Sequence, residues 1–129
     1  MNTENLNRMA DYIETIPLEK FNMATYRTGE SIKHECNSVG CVIGHCTVLD
    51  KRPLPILRSG DIDFNDWSLD FTGLDPNSNE WRYLFASEWE DVDNNPVGAA
   101  KRIRHFLENG LPKNWYEQME GYAPLSYMS

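Results

Sequence analysis

Hydrophobic residues recur every three or four positions along most of the chain, which is the spacing of one apolar stripe on an α-helix. The first stripe comprises Leu6, Met9, Ile13 and Ile16. Pro17 follows it, and because proline disfavours helical geometry in the preceding residue, this helix is expected to end near Thr15. A second stripe begins near Asn37 or Ser38 and predicts a helix that runs to about Leu49.

Two later helices are marked by a capping side chain followed by proline, a combination preferred at helix starts. The two pairs are Asp75-Pro76 and Asn95-Pro96. The second of these helices also has a clear end, because Asn109-Gly110 supplies the glycine that helix C-termini favour. The pattern therefore predicts one helix that starts at Asp75-Pro76 and another over residues 96–108.

The remaining segments complete a helical architecture. A short helix from Phe64 is expected to end at Gly73, and a last short helix is expected around Trp115. Residues 51–60 contain two prolines and a glycine, which predicts an extended connector, and residues 122–129 are predicted to form a loose tail. We expect a single all-α domain over residues 1–129, with five to six short helices.

Charge is distributed unevenly and narrows the class of partner. The chain has a net charge of −8, and residues 59–93 contain ten acids against one base, Arg82, for a net charge of −9. Such a surface argues against direct binding of nucleic acid or anionic membrane, because phosphate contacts need clustered lysine and arginine. The predicted binding residues are Asp61, Asp63, Asp66, Glu90, Asp91 and Asp93, with Trp89 as a partly exposed aromatic anchor.

The expected location is the cytoplasm. No apolar run approaches the roughly 18 residues of a membrane helix, and the polar stretch Met1–Arg8 lacks the apolar region of a signal peptide. The cysteine count of three agrees, because secreted disulfide frameworks usually contain an even number. We expect a protein partner, no membrane contact and no cofactor.

All three cysteines and two of the three histidines lie between His34 and Cys46. If Asn37 caps the second helix, Cys36 and Cys41 occupy the two positions of a hydrophobic staple and touch across the first turn. The favoured interpretation is that these cysteines are packed in the core, because free cysteine is often buried and behaves as a small hydrophobic residue.

Two chemical alternatives remain for this cluster. Four of its side chains have the donor types of a tetrahedral zinc site, although the chain lacks the two ligand knuckles typical of structural zinc. These candidate ligands are Cys36, Cys41, His45 and His34. Alternatively, Cys36 or Cys41 is a nucleophile near a helix N-terminus, where thiolate is stabilised, with His105 as its base. A disulfide between Cys36 and Cys41 is not expected in a reducing cytosol.

Two further patterns have ordinary interpretations beside functional ones. The run Asp61-Ile-Asp63-Phe-Asn65 begins like an EF-hand calcium loop, but Asp66 and Thr72 occupy the positions of the required glycine and glutamate, so solvated carboxylates are expected. A basic set on the 96–108 helix is expected to be a solvated face that pairs with the acidic segment, or else a small anionic contact site. This basic set comprises Lys101, Arg102, Arg104 and His105.

The stretch from Cys36 to Cys46 resembles a motif of small uncharacterised bacterial and phage proteins that reads roughly Cys-Gly-Thr-x-x-Cys-x-x-Gly-His/Trp-Ala. The matching residues are Cys36, Ser38, Cys41, Gly44 and His45, followed by Leu84-Phe85, Trp89, Ala99-Ala100 and Ile103. Asn37 stands where the motif has glycine, and Cys46 where it has alanine. The resemblance implies a compact helical domain in a bacterial or phage cytoplasmic setting, and it implies no activity.

The expected function is that of a non-enzymatic protein-interaction module. In one version of this hypothesis the module is phage-encoded and acts on a host protein. A specific form is nucleic-acid mimicry, in which the acidic segment occupies a basic groove of the partner. The alternative is a thiol- or zinc-dependent domain centred on Cys36, Cys41 and His45. Whether Cys41 and His45 reach solvent distinguishes the two hypotheses.

Overall fold

The computed structural model describes residues 1–23, 41–60 and 62–127. Across these ranges the fold is helical, with isolated β-bridge residues but no strand, so the all-α prediction is confirmed. None of the described helices is long and apolar enough to cross a membrane. The α-helices are α1 (Thr3–Ile13), α2 (Val42–Cys46), α3 (Phe64–Thr72), α4 (Asn79–Phe85), α5 (Pro96–Asn109) and α6 (Trp115–Met119). Short 3₁₀ turns cover Leu18–Lys20, Thr47–Leu49 and Ser87–Asp91.

The centre of the core is the packing of α1 against α5. The buried positions of α1 are Leu6, Met9, Ala10 and Ile13. Those of α5 include Ala99, Ala100, Ile103 and Phe106. Helices α2 and α3 pack on α1, whereas α4 packs on both α5 and α6. The apolar spacing of α1 therefore marks its core face correctly.

The start and end signals of α5 are confirmed. The Asn95 side chain accepts hydrogen bonds from the backbone N–H groups of Val97 and Gly98, which satisfies donors that the first turn leaves unpaired. Pro96 takes the first helical position, and Gly110 ends the helix with a φ of +78°.

The predicted start of α4 at Asp75-Pro76 is wrong. The Asp75 carboxylate accepts from the backbone N–H of Asn77, and its carbonyl accepts from Ser78 N–H, so this pair forms a tight turn. The helix begins three residues later, where the Ser78 hydroxyl accepts from Trp81 N–H. The Asp75 carboxylate binds the backbone N–H two residues ahead, as the Asn95 side chain also does, so the Asp-Pro pair alone does not distinguish a turn from a helix start.

The predicted start of α2 near Asn37 is also wrong. Cys41 has extended backbone angles (φ −86°, ψ −174°) and is the N-cap, with its carbonyl accepting from His45 N–H. Cys41 therefore does not occupy the N4 position, and the staple with Cys36 does not apply. The apolar spacing from Val42 onward fits a short helix as well as a long one, so periodicity did not fix its start. Asn37, Cys36 and His34 lie outside the described residues.

The predicted loose C-terminal tail contacts the core at Tyr127, although Tyr122 is 84% exposed. The Tyr127 side chain is 6% exposed, and its hydroxyl bonds both Asp93 and Arg102. The preceding Ser126 exchanges hydrogen bonds with the buried Gln118 of α6. The apolar residues of this short C-terminal stretch do not follow a helical or strand spacing, so sequence reasoning missed this contact.

Candidate functional site

Exposed carboxylates follow one another from α3 to the Ser87–Asp91 turn. We call these six residues the acidic set: Asp66, Asp70, Asp75, Glu88, Glu90 and Asp91. Among the described residues, Asp70 pairs with Arg52 at 2.7 Å and Glu88 pairs loosely with Arg82 at 3.7 Å. No ion pair is found in the described ranges for the other four members. Three predicted binding residues, Asp66, Glu90 and Asp91, thus lie on the surface without an ion pair in the described ranges.

An open groove of about 400 Å³ separates the 51–60 connector from α3. We call it the connector groove, and its lining residues are Asp50, Arg52, Pro53, Pro55, Asp66, Trp67, Leu69 and Asp70. The two prolines and Leu69 give it apolar walls, and Leu69 is 41% exposed although it lies on a helix. The predicted binding residue Asp66 opens into this groove, which therefore combines apolar surface with negative charge.

One end of the connector groove is held by a charged clamp. Arg52 donates to both carboxylate oxygens of Asp50, at 2.9 and 2.8 Å, and also pairs with Asp70 on α3. The Trp67 indole N–H donates to the same Asp50 carboxylate at 3.0 Å. These contacts, with the Arg52 hydrogen bonds the largest, lower the pKa of Asp50 to about 2. Asp50 therefore stays ionised in ordinary buffers.

The other end is held by backbone contacts. The Asp63 N–H donates to the Pro55 carbonyl at 2.8 Å, and Ile56 forms an antiparallel bridge with Ile62. The Asp63 carboxylate caps α3 by accepting from Asp66 N–H at 3.1 Å. Asp63, predicted as a binding residue, is thus committed to the helix start. Its predicted neighbour Asp61 lies outside the described residues.

Trp89 and Asp93 are not surface residues, which corrects the prediction that both bind a partner. Trp89 is fully buried and its indole N–H donates to the Tyr83 carbonyl at 2.7 Å. Asp93 is 7% exposed and accepts hydrogen bonds from Arg102 and from the Tyr127 hydroxyl. Both residues have acidic neighbours in the sequence, which led to the prediction of a surface position although both lie in the core.

Arg102 is fully buried, so the predicted solvated basic set is wrong at this position. Its guanidinium lies 4.1 Å from the centre of the Trp89 ring and pairs with Asp93 at 3.2 Å. Within the described ranges, two of its nitrogens, Nε and Nη2, have no hydrogen-bond partner, and neither has the buried Tyr83 hydroxyl. We call Tyr83, Trp89, Asp93, Arg102 and Tyr127 the buried arginine cluster.

Arg104, another member of the basic set, faces the C-terminal end of α1, whereas Lys101 is exposed. Arg104 pairs with Asp11 at 2.9 Å and with Glu14 at 2.8 Å, and its hydrogen bond lowers the pKa of Glu14. The predicted pairing of Arg104 with the acidic segment is therefore wrong. The half-buried ring of His105 bonds Asn109 on its own helix. In the described parts of the chain, no contact joins His105 to Cys41, its predicted thiol partner.

Cys41 and His45 do not reach solvent freely. Cys41 is 2% exposed, and burial raises the pKa of its thiol to about 11. His45 is 6% exposed, and its Nε2 lies 2.6 Å from the Lys20 carbonyl oxygen. Because a carbonyl only accepts, Nε2 carries the hydrogen and is not free to ligate a metal. The described ranges contain no group of three or more His, Cys, Asp or Glu residues that could hold a metal ion.

Sequence reasoning missed the connector side of the groove. Pro53 and Pro55 were recognised only as signs of an extended segment, and neither Asp50 nor Arg52 was singled out. One signal was present: Leu69 is out of phase with Trp67 and Phe71 on the same helix, which both point inward. Comparison of the chain with protein-family models, with curated proteins and with solved structures gives no match.

Proposed function

We propose that this chain is a non-enzymatic interaction module whose acidic set binds a basic protein in the cytoplasm. The observation that carries the proposal is that four exposed carboxylates have no ion pair among the described residues. These are Asp66, Asp75, Glu90 and Asp91. Uncompensated charge of one sign steers an oppositely charged partner and favours its correct orientation.

A sharper form of the proposal is nucleic-acid mimicry. The partner is then a nucleic-acid-binding protein, whose lysine and arginine side chains meet carboxylates in place of phosphates. The resemblance of the Cys36–Cys46 stretch to bacterial and phage proteins makes a bacterial protein the expected partner. This form predicts that duplex DNA competes with the chain for the partner.

The placement of the cysteine cluster counts against a thiol- or zinc-dependent function. A nucleophilic cysteine needs a lowered pKa and access to substrate, whereas burial raises the pKa of Cys41 to about 11. The Nε2 atom of His45 is already bound to a backbone carbonyl. The interaction module is therefore the function that the geometry favours.

Capture of partners from a bacterial lysate by the tagged full chain tests this function. The test variant neutralises the four unpaired carboxylates as Asp66→Asn, Asp75→Asn, Glu90→Gln and Asp91→Asn. The control variant removes the same charge from exposed residues elsewhere, as Glu4→Gln, Glu19→Gln, Glu108→Gln and Glu117→Gln. Because both variants change the net charge equally, they separate a specific surface from general acidity.

We expect the wild type and the control to capture the same basic protein, and the test variant to lose it about tenfold or more, since several charge pairs disappear. Capture should also fall at high ionic strength and on addition of duplex DNA. Equal capture by the test and control variants, or the absence of any basic protein, contradicts the proposal.

A further inference from the structure

We propose that the connector groove is the anchor point of this interaction and that it receives an arginine side chain from an extended segment of the partner. This inference rests on the proposed function, because it assigns one part of the acidic set to one feature of the basic partner. The groove is favoured over the other acidic positions because it is concave and has both apolar and charged walls.

The size and lining of the connector groove suit a long cationic side chain. Its volume of about 400 Å³ falls within the range of roughly 300–1,000 Å³ that ligand sites occupy. Pro53, Pro55 and Leu69 offer apolar surface to an aliphatic stem, and Asp66 offers a carboxylate to the head group. Arginine combines such a stem with a planar head that binds carboxylates through two hydrogen bonds.

Asp66 is the carboxylate of the groove that is available to pair with a partner cation. Asp50 already accepts three hydrogen bonds from Arg52, one of them from its backbone N–H, and one from Trp67, and Asp70 is paired with Arg52. Asp66 has no ion pair in the described ranges, although its backbone N–H is used by the helix cap. The groove therefore holds three carboxylates against one guanidinium, a net charge of −2 that a partner cation reduces.

Helix geometry strengthens the attraction at this point. Asp66 and Asp70 are four residues apart on α3, so their side chains are neighbours on one helix face. Like charges at this spacing destabilise a helix by about as much as opposite charges stabilise it. Arg52 neutralises only Asp70 of these two carboxylates. A partner guanidinium bound to Asp66 therefore relieves the repulsion that remains between Asp66 and Asp70.

The groove is formed before any partner arrives. The Arg52 clamp holds one end, and the Asp63–Pro55 hydrogen bond with the Ile56–Ile62 bridge holds the other. Binding to fixed walls avoids much of the entropy cost of ordering a loop. Ile56 and Leu57 are 52% and 47% exposed next to the groove wall, so the residues that flank the arginine are expected to be apolar.

NMR titration of the ¹⁵N-labelled full chain with N-acetyl-leucyl-arginyl-leucinamide tests the inference. We expect the largest shifts at the Trp67 indole N–H and at the backbone amides of Leu69 and Asp70. The same tripeptide with citrulline, which is similar in shape but uncharged, should cause less than a tenth of the shift at equal concentration. Localised shifts that depend on the charge support the groove as an arginine site.

Two variant pairs separate the groove from the rest of the surface. Asp66→Asn should weaken tripeptide binding about tenfold, the value of one charge-assisted contact, while Asp91→Asn changes it less than twofold. Leu69→Ala should weaken binding severalfold, while Val97→Ala, at a helix position with similar exposure, leaves it unchanged. All four residues are exposed or partly exposed, so the variants are expected to fold.

The failure of this inference differs from the failure of the proposed function. Shifts that centre on Glu88–Asp91, or an Asp66→Asn variant that binds like Asp91→Asn, overturn the groove and leave capture of a basic partner intact. Equal binding of the citrulline tripeptide overturns recognition of an arginine charge. Loss of partner capture by the control variant in the lysate experiment overturns the proposed function itself.

Discussion

The Arg102 guanidinium lies 4.1 Å from the centre of the Trp89 ring, and both side chains are fully buried. Asp93, the last acid of the 59–93 segment, forms an ion pair with Arg102 at 3.2 Å. Tyr127 connects them, because Arg102 donates to its hydroxyl and the hydroxyl donates to Asp93. The acidic segment therefore has two roles. The six carboxylates of the acidic set form a negatively charged surface, and the final carboxylate, Asp93, neutralises a cation in the core.

Arg102→Met should destabilise the fold strongly. The substitution leaves Asp93 buried and without its cation, and breaking a buried ion pair from one side costs about 3–5 kcal/mol. Arg104→Met is the matched control on the same helix, because its ion pairs are exposed and should cost less than about 1 kcal/mol. Chemical denaturation monitored by tryptophan fluorescence measures both. Equal costs contradict the assignment of Arg102 to the core.

Tyr83→Phe and Tyr127→Phe should have opposite consequences although both remove a buried hydroxyl. The Tyr83 hydroxyl has no hydrogen-bond partner in the described ranges, so its removal should be neutral or stabilising. The Tyr127 hydroxyl joins Arg102 to Asp93, so its removal should cost about 1–3 kcal/mol. Denaturant midpoints of the two variants provide the measurement. A larger loss for Tyr83→Phe contradicts the hydrogen-bond assignment.

Gly98→Ala should destabilise α5, against the ordinary trend. Alanine is favoured over glycine inside a helix by about 1 kcal/mol. A Cβ on Gly98, however, would overlap the Asp93 carboxylate, which Arg102 and Tyr127 hold in place. We expect a net loss of about 1–3 kcal/mol from this overpacking, measured by thermal or chemical unfolding. A variant more stable than the wild type would show that the carboxylate moves freely.

The contribution of Asp50 to stability should disappear in acid. Its pKa is about 2 in the folded chain, below the ordinary value of 3.8, with the Arg52 hydrogen bonds as the main cause. A lowered folded-state pKa gives stability that is complete above about pH 4 and is lost as the pH falls toward 2. Because Arg52 is exposed, we expect only about 1–2 kcal/mol.

The measurement for Asp50 is the difference in unfolding free energy between the wild type and Asp50→Asn across this pH range. That difference should shrink between pH 4 and pH 2 and stay level above pH 5. Asp75→Asn is a suitable control, because Asp75 is exposed and has no ion pair in the described ranges. A difference that is independent of pH contradicts the Arg52 clamp.

Cys41 and Cys46 should react slowly with iodoacetamide near neutral pH. Both are buried, and burial raises the pKa of Cys41 to about 11 and that of Cys46 well above its usual value. Thiolate is the reactive form, so both cysteines should be labelled much more slowly than free cysteine in the folded chain. Rapid labelling is expected only after unfolding. Peptide mass spectrometry resolves the two sites. Rapid labelling of Cys41 in the folded chain would revive the thiol hypothesis.

The fold was predictable from sequence where one local signal had a single structural meaning. Asn95-Pro96 with Gly110 marks α5 correctly, because the cap and the stop agree with the apolar spacing between them. Asp75-Pro76 carries the same start signal, yet Ser78 provides the competing cap. Local chemistry offers both outcomes at Asp75, and only the packing of the following residues decides between them.

The site was less predictable because charge alone does not indicate burial. Arg102 lies three residues after Ala99 and four before Phe106, beside the apolar stripe of α5, so its inward position was visible as spacing. Its long-range partner Tyr127 was not visible, since 25 residues separate them. The connector groove likewise depends on contacts between Arg52 and α3 that no local pattern encodes.

The most direct test of the acidic interaction surface is the salt dependence of binding to the purified basic partner. The logarithm of the association constant should fall steeply and linearly with the logarithm of salt concentration, because each charge pair releases counterions or loses attraction to screening. In the variant that neutralises Asp66, Asp75, Glu90 and Asp91, the slope should become clearly shallower, whereas the control variant keeps the wild-type slope. Identical slopes for the test variant and the wild type would contradict the account.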